Sequence, residues 1–96
     1  MQVIRAEDIP EIGVQKIDYK SMALFLEKGL ALVLDVNYKR AYEIKRQLKK
    51  YIKDDEVEVL RVYVEKRRLY IFVLKKYLEE GLTKYITKAG DVNNKQ

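Results

Sequence analysis

The sequence predicts an α+β domain: two ββα units forming a four-stranded antiparallel sheet with two helices on one face. Three observations lead to this expectation. Alternating and continuous apolar runs of strand length recur at 22–36 and 57–75, each broken by a charged turn. A segment with apolar residues at helical spacing follows each run, at 38–53 and at 76–90. The order strand, turn, strand, helix therefore occurs twice, a similarity of pattern with little residue identity.

Residues 1–18 are read as an N-terminal arm. Val3, Ile4, Ile9, Ile12, Val14 and Ile17 are too apolar for a free tail. The arm is expected to lie extended on the domain, with one edge strand and turns at Pro10 and Gly13. Residues 19–90 form the single ββαββα domain, and 91–96, DVNNKQ, are expected to be flexible.

In the first unit Glu27-Lys28-Gly29 separates two β-like runs. A three-residue loop ending in glycine suits a type I turn closed by a left-handed residue. That register sets Leu26 against Leu30, Leu24 against Leu32 and Met22 against Leu34. A rival reading makes 18–27, DYKSMALFLE, a short helix. With an N-terminal strand the elements then run strand, helix, strand, helix, strand, strand. That order resembles the order in the archaeal chromatin protein Alba, and no motif of the chain extends the likeness. The hairpin is favoured because Gly29 sits where a hairpin needs it.

The helix at 38–53 has Ala41, Ile44, Leu48, Tyr51 and Ile52 on one stripe, with Asn37 as its N-cap. In the second unit Glu65 to Arg68 form the hairpin tip, pairing Val64 with Leu69, Val62 with Ile71 and Leu60 with Val73. One face of this hairpin is aliphatic, and the helices are expected to pack on it. The other carries Val59, Arg61, Tyr63, Tyr70, Phe72 and Leu74. The last helix, 76–90, has the stripe Leu78, Leu82, Tyr85, Ile86 and Ala89. Gly81 lies within it and Gly90 caps it.

Composition narrows the function classes. The chain has 96 residues, 48% of them hydrophobic and 36% charged, which suits one domain with a modest core. It has no Cys and no His, which excludes disulfides and removes the commonest general base and metal ligand. No apolar run has membrane-spanning length, and the N-terminus is expected to carry no export signal. Abundant Lys, Glu and Ile with few Asn and Gln suit a hot environment, so a thermophilic archaeon or one of its viruses is the expected source. A cytoplasmic location is expected. No Gly-rich phosphate loop and no nucleophile with a base occur. The acidic cluster Asp54-Asp55-Glu56 has no clear complement, so no enzyme, cofactor or metal is expected.

Charge gives the functional signal. Residues 38–53 hold seven Lys and Arg and one acid, a net +6 in a protein of net +5. A concentrated positive segment on a nearly neutral body suits a polyanion. On a helix, Lys39, Arg46, Lys49, Lys50 and Lys53 fall within about 100° of arc, with Tyr42 inside it. A solvated helix face in a hot-environment protein normally alternates Lys with Glu. Here Lys45–Lys49, Arg46–Lys50 and Lys49–Lys53 are like-charged i,i+4 pairs, which a bound polyanion would relieve. Lys66, Arg67 and Arg68 at the hairpin tip add a second basic point. Arg61, Tyr63, Tyr70 and Phe72 are candidates for stacking on unpaired bases, or for a homodimer or protein-partner interface.

The expected function is therefore a small basic nucleic-acid-binding protein. Structured RNA is favoured over DNA, in a ribonucleoprotein such as the ribosome. The alternatives are a DNA-binding homodimer of viral or chromatin type, or a protein-interaction module such as a small inhibitor or polymerase-associated subunit.

Overall fold

The computed structural model describes residues 2–13, 16–53, 56–64 and 66–78. The expected helix at 76–90 and the tail at 91–96 lie, apart from 76–78, outside the described residues. Within them the chain runs β1 (Gln2–Arg5), α1 (Tyr19–Glu27), β2 (Leu30–Leu34), α2 (Tyr38–Leu48), β3 (Val57–Val64) and β4 (Arg67–Leu74). Single 3₁₀ turns follow β1 and β4, at Ala6–Asp8 and Lys75–Tyr77. The fold is α+β, with two helices and a mixed four-stranded sheet of order β1-β2-β4-β3. β1 runs parallel to β2, whereas β4 is antiparallel to both β2 and β3.

The first expected hairpin is a helix followed by a strand, so the first ββα unit and its pairings of Leu26, Leu24 and Met22 do not form. The rival reading of 18–27 gives the observed element order. Local chemistry explains why. Tyr19, Met22, Ala23 and Leu26 recur at helical spacing, and Met22, Ala23 and Leu26 are buried while Leu24 is exposed. No β-branched residue occurs in α1. Asp18 caps its start: Oδ1 accepts the Ser21 N–H at 3.2 Å, and Oδ2 accepts the Ser21 hydroxyl at 2.9 Å. These bonds, the backbone one foremost, hold the Asp18 carboxyl below its ordinary value. Gly29 has the expected left-handed backbone, φ +92°, but it closes a helix. Its N–H donates to the Leu26 carbonyl at 3.0 Å. A glycine at that position serves a helix end as well as a hairpin.

The edge strand expected in the arm is β1. Its partner is parallel, because α1 carries the chain back across the sheet before β2 begins. The chain then turns near Pro10, and Gly13 has φ +72°. Ile9, Ile12 and Ile17 enter the core.

The second hairpin forms with a tighter register than expected. Val64 pairs with Arg67, Val62 with Leu69 and Leu60 with Ile71, so two residues rather than four make the tip. Lys66 there adopts φ +66°, the left-handed conformation that two-residue hairpin turns require. A shift of two residues leaves every side chain on its expected face.

Both helices lie on one face of the sheet, but it is the aromatic face. Tyr70, Phe72, Leu74 and Val57 share one buried cluster with Met22, Leu26, Ala41, Ile44 and Leu48. The two rings fill the depth between the layers, where the helices contribute the small Ala23 and Ala41. The aliphatic face forms a second cluster of Ala31, Val33, Val62, Leu69, Ile71 and Val73. Val3, Leu60, Tyr77 and Leu78 pack against it. No helix among the described residues is long and apolar enough to cross a membrane.

Candidate nucleic-acid interface

α2 begins where expected. The Asn37 side chain accepts the Arg40 N–H at 2.8 Å, and Ala41, Ile44 and Leu48 are buried. The helix ends at Leu48 rather than at residue 53. Beyond it the ladder tightens: Lys50 N–H donates to the Gln47 carbonyl at 3.2 Å and Tyr51 N–H to that of Leu48 at 3.0 Å. This turn delivers Ile52 to the core and leaves Tyr51 exposed, so Tyr51 leaves the expected apolar stripe. The expected arc is therefore split. Lys39, Tyr42 and Arg46 stand on the helix, Lys49 caps it, and Lys50 and Lys53 stand in the turn that follows.

All six of these residues are exposed, as are Lys66, Arg67 and Arg68 at the hairpin tip. Several also make internal contacts. Arg46 is ion-paired with Glu43, the one acid of the segment, and Gln47 Nε2 donates to the same carboxylate at 2.9 Å. The Gln47 bond first, then the positive field of Arg46, hold the Glu43 carboxyl below its ordinary range. Arg67 is ion-paired with Asp35 in the loop between β2 and α2. Surface pairs of this kind add little stability, and a competing polyanion can displace them.

Arg68 Nε donates to the Tyr63 hydroxyl at 3.0 Å, and its guanidinium lies 5.4 Å from the Tyr63 ring centroid. Arg61 lies 5.8 Å from the same ring. The Tyr63 hydroxyl raises the Arg68 pKa, with a smaller influence from Tyr70. Tyr70 nevertheless makes no hydrogen bond of normal geometry through its buried hydroxyl. An unsatisfied buried hydroxyl costs about 1–3 kcal/mol.

The four residues expected to form an aromatic stacking or partner face are divided. Phe72 is 0% exposed and Tyr70 3%, both beneath the helices, so neither offers a free face to a base or a second subunit. Covering this face gave the helices their core, which is why Tyr70 and Phe72 present no open surface. Arg61 is exposed and Tyr63 half-buried.

A groove of about 390 Å³ lies between α2 and the strands β3 and β4. Tyr38, Tyr42 and Lys45 line it from α2, Val59 and Arg61 from β3, and Tyr70 from β4. Tyr38 and Tyr42 are 62% and 63% exposed, with ring centroids 6.2 Å apart and planes tilted by 33°. Lys45 also lines a smaller depression with Tyr42, Arg46 and Lys49. Tyr38 and Lys45 were not among the candidates from sequence. The spacing Tyr38, Tyr42, Lys45 places them on one helix side, but only the packing of α2 beside β3 makes that side a groove.

Compared with protein-family models, curated proteins and solved structures, the chain matches none.

Proposed function

We propose that this chain is a small nucleic-acid-binding protein whose preferred partner is structured RNA, held as a component of a ribonucleoprotein such as the ribosome. The observation that carries this reading is the placement of the charge. The +6 segment packs its apolar side inward and leaves Lys39, Tyr42, Arg46, Lys49, Lys50 and Lys53 exposed along the helix and the turn after it. Cations at this density match the repeating charge of a phosphate backbone. The basic residues are divided between a helix, the turn after it and a hairpin tip, which suits an irregular RNA surface better than a regular groove.

The test is fluorescence anisotropy with a structured RNA and a matched DNA duplex across a salt series. Tighter RNA binding that weakens steeply with salt supports the proposal, and the slope counts the phosphates engaged. Equal binding to both transfers the role to general nucleic-acid coating or DNA architecture. Absence of binding at low salt, or full binding by Arg46→Glu with Lys50→Glu, overturns it.

A further inference from the structure

We infer that the groove between α2 and β3 receives one unpaired nucleotide of the bound RNA, its base against Tyr38 and Tyr42 and its phosphate on Lys45 and Arg61. This inference rests on the nucleic-acid reading above and adds a site for an extruded base. Three independent features agree on the ligand. Two tyrosine rings more than half exposed offer apolar faces at the rim. The charged residues lining the groove, Lys45 and Arg61, are both cationic. Tyr70 lines the same groove, and its hydroxyl, in a side chain 3% exposed, makes no hydrogen bond of normal geometry, although it lies within the influence of the Arg68 guanidinium.

Size selects among occupants. About 390 Å³ lies at the small end of ligand sites, enough for a single nucleotide and far too narrow for a duplex. Aromatic faces combined with cations suit a planar, electron-rich base joined to a phosphate. The Tyr70 hydroxyl, at the groove wall without a hydrogen bond of normal geometry, is the donor or acceptor for a polar edge of that base. The basic turn at Lys49, Lys50 and Lys53 would meanwhile hold the flanking backbone.

The experiment compares two RNA hairpins identical except for a single bulged 2-aminopurine, each titrated with wild-type protein, Tyr38→Leu and Tyr70→Phe. Removing an unpaired hydroxyl leaves Tyr70→Phe as stable as wild type or more so. A merely structural Tyr70 would therefore show no loss of binding. The inference expects the bulged hairpin to bind at least about fivefold more tightly, the size of one stacked base. It expects 2-aminopurine fluorescence to be quenched, and both variants to lose that preference while keeping their affinity for the paired hairpin. Equal binding of the two hairpins, unaltered by either variant, overturns the groove assignment and leaves the nucleic-acid reading intact. Failure of both hairpins to bind overturns both readings. Quenching of tyrosine fluorescence by AMP alone, with no preference for the bulge, overturns the RNA-borne site in favour of a free nucleotide.

Discussion

The Arg40 guanidinium donates to the Tyr19 hydroxyl at 3.1 Å, joining the start of α2 to the start of α1. One of the seven cations of the basic segment is thus used inside the fold. Tyr19→Phe should cost about 0.5–1.5 kcal/mol in chemical denaturation, the net value of one hydrogen bond. It should leave the salt dependence of RNA binding unchanged. A change in that slope would place Arg40 at the nucleic-acid surface instead.

Gly29 distinguishes backbone strain from crowding. An added Cβ would meet the Tyr77 ring at 3.6 Å, an ordinary contact, so space is available. The left-handed φ is the obstacle. Gly29→Ala should destabilise by about 1 kcal/mol and Gly29→Val by more, with Gly29→Asn the mildest of the three. Thermal melts of the three variants check the order.

Lys66 carries the same conformation without the freedom of glycine. Lys66→Gly should raise stability by up to about 1 kcal/mol, since a left-handed non-glycine residue is strained. If Lys66 also contacts phosphate, the salt slope should fall by about one. One variant read by denaturation and by binding reports both effects.

Glu43 is the acid within the basic segment. Glu43→Gln should free Arg46 and raise RNA affinity severalfold at low salt, with the gain shrinking as salt is added. Unaltered affinity would show that Arg46 is not part of the RNA contact.

Acid should weaken the start of α1. Asp18 has a folded-state pKa below its ordinary 3.8, because the Ser21 N–H stabilises the carboxylate. The contribution is full above that value and is lost as pH falls through the lower, folded-state one. Melting temperature measured from pH 5 downward should fall less for Asp18→Asn than for wild type. Parallel curves would remove Asp18 from the acid response.

The legible parts of this fold were those fixed by local chemistry. Asn37, the period of Ala41, Ile44 and Leu48, and the alternation along β3 and β4 each follow from neighbours a few residues apart. Gly29 announced a left-handed turn but not which element it ends, because helix ends and hairpins share that need. The aliphatic and aromatic faces of β4 were both apolar, so periodicity alone did not say which one the helices cover. The cations of α2 were readable as charge. The groove was not, because Tyr38 and Arg61 come to line one groove only through tertiary packing of α2 on β3.

The strand order β1-β2-β4-β3 has a consequence for how the chain assembles. The β3–β4 hairpin closes over a two-residue tip and can form early, whereas β1 finds β2 only after α1 has bridged them. Amide hydrogens of β1 should therefore exchange sooner than those of the central strands. The first strand is in this sense a late clasp on a sheet whose centre joins β2, from the first half of the chain, to β4, from the second.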